Sequence, residues 1–204
     1  SEASNQKSVK LLLSGAGSGG ILSPDEMQVV YVAGGNLLVK DLKTGIVKTV
    51  VQVQEKDIDY AENPVWSPDG KQIVYAWGKQ VGALTDLRIV NVESGKNRVI
   101  YSDSLRYLTP QDWSVDGKSI VGVVWKIPEI KTLPIETFAG YEVFDIETRK
   151  HSQFVSIEGG VVRKWGSYRG ENGAASFSPD GKPLVYDLAA KRNRALFAYA
   201  TATG

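Results

Sequence analysis

The chain has 204 residues, 42% of them hydrophobic, with 24 Lys and Arg against 23 Asp and Glu, for a net charge of +1. That length can bury one sizeable core, and the balanced charge argues against nucleic acid or an anionic membrane surface as partner. Cysteine is absent, which excludes disulfides and thiolate metal sites. The longest lipophilic stretch, 11–22, is Gly- and Ser-rich and far short of the ~20 residues a membrane span needs.

Taken in order, residues 1–6 are polar and read as a frayed terminus. A cleaved export signal would leave such a start, so a periplasmic or secreted location is expected, with the cytoplasm still open. A strand pattern at 7–13 runs into Gly15-Ala16-Gly17-Ser18-Gly19-Gly20, which matches G-x-G-x-x-G, with Asp41 about twenty residues on. A dinucleotide site would need a helix after the last glycine. Ile21 to Glu26 carries a turn signal instead, so the reading here is a loop.

The next feature organises the whole chain. Ser23-Pro24-Asp25-Glu26 returns as Ser67-Pro68-Asp69-Gly70, Ser114-Val115-Asp116-Gly117 and Ser178-Pro179-Asp180-Gly181. Pro presets φ for the first central position of a β-turn, Asp tolerates the second, and Gly accepts the strained position after it. A large apolar residue precedes each turn: Leu22, Trp66, Trp113, Phe177. A β-rich run follows each, and then a second block that closes on Thr44-Gly45, Ser94-Gly95, Thr148-Arg149 or Thr203-Gly204. Further strands are expected at 47–53, 97–101 and 152–157. With the strands named A (before the serine turn), B, C and D, the chain reads D-A-B-C four times, in units of about 7–45, 46–95, 96–149 and 150–204. Four short strands per forty to fifty residues is the signature of a propeller blade. Blades must stack to cover both sheet faces, hence the near-continuous apolar runs such as Ile73-Val74-Tyr75. The expected fold is all-β: one β-propeller domain, 1–204, of four four-stranded antiparallel blades. Its ends could close on each other, meet a second copy in a homodimer, or belong to a larger ring.

These motifs resemble the TolB-type propeller repeat, related to the WD-type repeat and to the propeller of prolyl-oligopeptidase-like peptidases. The resemblance rests on the Ser-x-Asp-Gly-Lys copies, the aromatic ahead of them, and the Asp-x-x-(Thr/Ser)-Gly ends of strand C. Blade 1 departs from it at Glu26, and blade 3 at Val115 and Arg149. It implies a fold rather than an activity.

Strand direction alternates, so the A–B and C–D turns share one face and the B–C and D–A connections the other. The first set is short throughout. The second varies and holds the long stretches 126–140 and 158–175, both read as loops. Loops on a rigid scaffold carry function, so this loop face is the expected binding face. Trp165, Tyr168, Arg169, Glu171 and Asn172 are its candidate contacts, because aromatics and Arg dominate binding hot spots. Glu62, Asn63, Gln111 and Asp112 enter strand A and should line the channel mouth. The acids of 55–62, with Asp57 and Asp59, have oxygens suited to Ca²⁺, but a solvated loop is the favoured reading and no cofactor is expected. His151, the single histidine, lacks a second His for zinc and opens a strand D away from the loop face. No G-x-S-x-G elbow occurs. The expected function is a non-catalytic scaffold that binds a protein, a peptide or a small ligand. Two alternatives stand beside it: the propeller part of a peptidase, or an enzyme that uses mouth carboxylates such as Glu62 with Asp112.

Overall fold

The computed structural model describes residues 20–54, 59–79, 85–103, 106–126, 135–164, 174–181, 183–190 and 193–200. Among them there is no helix. Gly20 is followed by a strand, so the helix a dinucleotide site requires is not there. Blade 1 contains β1 (Ile21–Leu22), β2 (Gln28–Ala33), β3 (Asn36–Asp41) and β4 (Val47–Val51). Blade 2 contains β5 (Tyr60–Trp66), β6 (Gln72–Gly78), β7 (Thr85–Asn91) and β8 (Asn97–Tyr101). Blade 3 contains β9 (Arg106–Trp113), β10 (Ser119–Lys126), β11 (Ile135–Asp145) and β12 (His151–Lys164). Blade 4 contains β13 (Ala175–Phe177), β14 (Pro183–Ala190) and β15 (Asn193–Ala200). Each sheet is antiparallel with its strands in chain order. Four strands per sheet hold for the first three; the fourth shows three among the described residues.

The serine turns explain the regularity. Ser67 Oγ donates to Asp69 Oδ1 at 2.6 Å and accepts from Gln72 N at 2.9 Å, while Lys71 N donates to the same carboxylate at 3.0 Å. Ser23, Ser114 and Ser178 repeat the first of these bonds at 2.6 Å. Gly70, Gly117 and Gly181 have φ of 68°, 71° and 73°. Blade 1 makes the same turn with Glu26 at φ 59°, and blade 3 closes strand C with Arg149 at φ 59° where Gly45 and Gly95 stand elsewhere. The departures from the repeat therefore leave the turns intact. They place a Cβ where it is disfavoured.

Blades stack through their inner strands: β5 packs on β1, β2 and β3, β9 on β5, β6 and β7, and β13 on β9 and β10. Side chains alternate between the two faces with period two. Ile73, Tyr75 and Trp77 of β6 join Val30, Leu37 and Val39 of blade 1, whereas Val74 joins Leu108, Trp113 and Ile120 of blade 3. Val121, Val123 and Trp125 then join Ala175 and Leu184 of blade 4. Gly122 is needed in this layer, because a Cβ there would lie 2.8 Å from the Thr109 carbonyl oxygen.

The tryptophans add a directional tie. Trp66 Nε1 donates to the Ile21 carbonyl at 3.0 Å, and Trp113 Nε1 to the Val65 carbonyl at 3.1 Å, each reaching strand A of the preceding blade. Blade 4 has Phe177 in that place and no indole N–H.

Blade 3 differs from the sequence reading. Residues 135–139 and 158–164, taken as loop, are paired strand, with Ile135 opposite Lys164 and Phe138 opposite Val161. Ile135-Glu136-Thr137-Phe138 and Val161-Val162 have β-favouring composition. An irregularity between Phe138 and Gly140, where Gly140 takes φ 127°, interrupts this pairing, and Phe138 and Thr137 also pair with Trp125 and Lys126 of β10. The blade is thereby lengthened at the end away from the β11–β12 turn.

Candidate functional site

The residues expected at the channel mouth sit at strand irregularities. In β5 the register shifts between Glu62 and Val65, setting Asn63 and Pro64 opposite the single Tyr75, and Asn63 takes φ 48°. In β9 the shift falls at Gln111, between Asp112, opposite Val121, and Pro110, opposite Gly122. Bulges re-aim side chains and concentrate near functional sites. Glu62, Asn63, Gln111 and Asp112 are all half-buried. Thus two neighbouring inner strands each carry a bulged amide residue, Asn63 in the middle of β5 and Gln111 two residues before Trp113; β9 begins at Arg106, so Gln111 and Asp112 do not stand at the entry of strand A as expected. Trp165, Tyr168, Arg169, Glu171 and Asn172 lie outside the described residues.

Asp112 has a structural task. Its Oδ2 accepts from Ser176 Oγ at 2.6 Å and from Phe177 N at 2.9 Å, and its Oδ1 accepts from Trp113 N at 2.8 Å. The first two bonds cross from blade 3 to blade 4, where Phe177 has no indole to offer. The carboxylate replaces the tryptophan tie.

Two polar clusters went unread in the sequence. On blade 2, Asp86 is 3% exposed, and its oxygens accept from Lys79 Nζ at 2.9 Å, Arg88 Nη2 at 2.7 Å and Ser102 Oγ at 2.7 Å. Burial pushes its pKa up, but the bonds from Lys79, Arg88 and Ser102 outweigh that and hold it below the usual carboxylate value. The Arg88 guanidinium sits 4.6 Å from the centre of the Trp77 ring, whose Nε1 donates to Asp59 Oδ2 at 3.0 Å. This cluster ties the B–C and D–A connections of the loop face to the blade. Asp59, a candidate Ca²⁺ oxygen, is engaged in it; Asp57 lies outside the described residues. Among the described residues no group of three or more His, Cys, Asp or Glu could hold a metal ion.

On blade 3, Glu142 is 3% exposed and pairs with Arg106 and with His151, whose Nδ1 lies 2.9 Å from Oε2. Tyr101 of blade 2 packs edge-on against His151 and Phe144. Burial, helped by the Asp103 charge, pushes the Tyr101 phenol up to about 12, so it stays protonated and donates to Asp103 Oδ2 at 3.1 Å. The histidine therefore belongs to a blade 2–3 junction. Asp86 with Ser102 and Glu142 with Arg106, sixteen and thirty-six residues apart, gave no local signal of these pairings.

No family model matches the chain. An uncharacterized peptidase, YuxL, from Bacillus subtilis is 24% identical over 190 residues, covering 80% of this chain. The chain spans 28% of that protein's length. Among solved structures, TolB from Acinetobacter baumannii matches 91% of this chain and 39% of its own, with TM-score 0.56 and 19% identity. A protein assigned as TolB from Agrobacterium tumefaciens matches 89% of this chain and 57% of its own, with TM-score 0.61 and 16% identity. A structure of prolyl endopeptidases matches 94% and 29%, with TM-score 0.53 and 14% identity. The repeated serine turn, the inter-blade tryptophans and these likenesses agree that the chain folds as a β-propeller like that of TolB, a fold also seen in the prolyl endopeptidase structure.

Proposed function

We propose that the chain is a binding propeller whose loop face receives a protein or peptide partner. The observation that carries this is the asymmetry of the two faces. Among the described residues, one holds only tight turns. The other takes the far ends of the lengthened β11 and β12 and the connections braced by the Asp86 cluster. Partly exposed amide side chains both donate and accept, which suits a peptide backbone. Asp112 is occupied with holding blade 4, which speaks against its use as a catalytic acid or base. Trp165 and Tyr168 are the proposed aromatic anchors, with Arg169, Glu171 and Asn172 beside them. A photo-crosslinking residue at Asn63 should trap a partner in cells of the source organism, and one at Lys118 on the turn face should not. The adduct should weaken with Trp165→Ala and Tyr168→Ala while the fold persists. Trapping from Lys118 alone would refute the assignment.

The likeness to YuxL favours a second reading, in which this propeller is one part of a longer peptidase-like protein and its loop face admits peptide substrates. Peptide hydrolysis by the longer gene product, with none from residues 1–204 alone, would select it.

A further inference from the structure

Between blades 1 and 2, on the turn face, lies a cleft of about 560 Å³, within the size range of ligand pockets. Blade 1 contributes the start of β2, the end of β3 and the turn into β4. Blade 2 contributes its serine turn and the end of β7 with the turn after it. Val39, buried, and Val92, half-buried, supply apolar lining. Ile46 adds an apolar side chain that the protein leaves 68% exposed.

The repeat shows what is particular to this junction. Ile46 stands where blades 2 and 3 have Lys96 and Lys150, and Asn91 where blades 1 and 3 have Asp41 and Asp145. At the blade 2–3 junction the corresponding pair is Lys96 and Asp145, one cation and one anion. Here an apolar group and an amide take their places.

The polar groups of the cleft are mostly donors with nothing to donate to. Asn91 Oδ1 accepts from Ser94 N and Ser94 Oγ, both at 2.8 Å, which fixes the amide and leaves Nδ2 over. Lys48 Nζ reaches across the junction to the carbonyls of Val92 and Glu93, both at 2.7 Å, with a third N–H unspent. Among the described residues, the Lys71 ammonium and the Gln28 side-chain amide make no hydrogen bond or ion pair with the protein. The carboxylates offer little in return. Asp41 Oδ1 accepts from Lys43 N, Thr44 N and Thr44 Oγ1 within its own turn, and Glu93 is exposed.

We propose that this cleft binds the C-terminal residue of a peptide ending in an apolar side chain. The terminal carboxylate meets Lys71 and the remaining N–H of Lys48, as a charge-assisted pair. The side chain lies against Val39, Ile46 and Val92. Gln28, which both donates and accepts, and Asn91 Nδ2 take the last peptide group. The site stands apart from the loop face and does not depend on what binds there.

The test titrates N-acetyl-alanyl-leucine, as free acid and as C-terminal amide, into the isotope-labelled 204-residue chain and follows backbone NMR signals. The acid should shift signals at 44–48, 70–71 and 91–93 with a dissociation constant on the order of 1 mM, as expected of so small a ligand. The amide should bind about tenfold more weakly. Lys71→Met should abolish that preference without harming the fold, since Met27 fills the same position in the serine turn of blade 1. Ile46→Ser should weaken acid and amide alike. Equal binding of acid and amide by the wild type overturns the proposal, as do shifts that map elsewhere, no shifts at all, or a preference that survives Lys71→Met. Binding of 4-methylpentanoate as tightly as the peptide would leave the amides unused and overturn the peptide assignment.

Discussion

Asp112→Ala should loosen blade 4 selectively. The substitution removes two bonds across the blade 3–4 junction, from Ser176 Oγ at 2.6 Å and Phe177 N at 2.9 Å, plus the bond from Trp113 N at 2.8 Å. A hydrogen bond to a charged acceptor contributes about 1.5–3 kcal/mol, and Ser176 is exposed, so its share takes the low end. The Phe177 amide is left partly buried without this acceptor. A total of about 3 kcal/mol follows for the junction. Because stacked repeats gain stability from neighbour interfaces, the loss should fall on blade 4 before the rest. Urea unfolding followed by hydrogen exchange reads this directly: protection at 175–177 and 184–186 should drop, while Ile73, Val74 and Leu87 keep theirs. The cycle with Ser176→Ala should show coupling of about 1 kcal/mol. If Asp112→Ala shifts stability by less than about 0.5 kcal/mol, the size expected of an ordinary surface change, with protection unaltered, the carboxylate is not a junction element. Asp112 would then return to the candidates for ligand contact.

Further outcomes follow from the same geometry. Glu26→Gly and Arg149→Gly should each stabilise the chain by about 0.5–1 kcal/mol in urea titration, because relief of a left-handed Cβ exceeds the added freedom of the unfolded chain. Gly122→Ala should cost about 1–3 kcal/mol, since its Cβ meets the Thr109 carbonyl and neither backbone can yield cheaply. Bonds from Ser67 and Lys71 hold the Asp69 carboxyl low, and bonds from Ser114 and Lys118 do the same for Asp116. Thr44 lowers Asp41, and Thr148 lowers Asp145. Their folded-state pKa values lie below the unfolded one, so their stabilisation is complete above about pH 4 and lost as pH falls through the folded values. Melting temperature should therefore drop steeply only below that pH, and Ser67→Ala should flatten the drop.

Local chemistry carried the repeat. Ser, Pro, Asp and Gly in that order can bond one another within five residues, so the turn is readable without a fold around it. The blade strands were legible for the same reason, since stacking on two faces demands unbroken apolar runs such as Ile73 to Trp77. The candidate site was legible only in part. Glu62 and Asn63 lie on β5 and Gln111 and Asp112 near the serine-turn end of β9, and the duty of Asp112 depends on Ser176 and Phe177, sixty-four and sixty-five residues away. Asp86 with Ser102 and Glu142 with Arg106 likewise meet only once the strands of their own blade have assembled. Chain order dictates which hydrogen bonds a turn can close on itself. Which buried charge meets which partner, and which apolar face is left uncovered, is set by packing between segments that the sequence keeps apart.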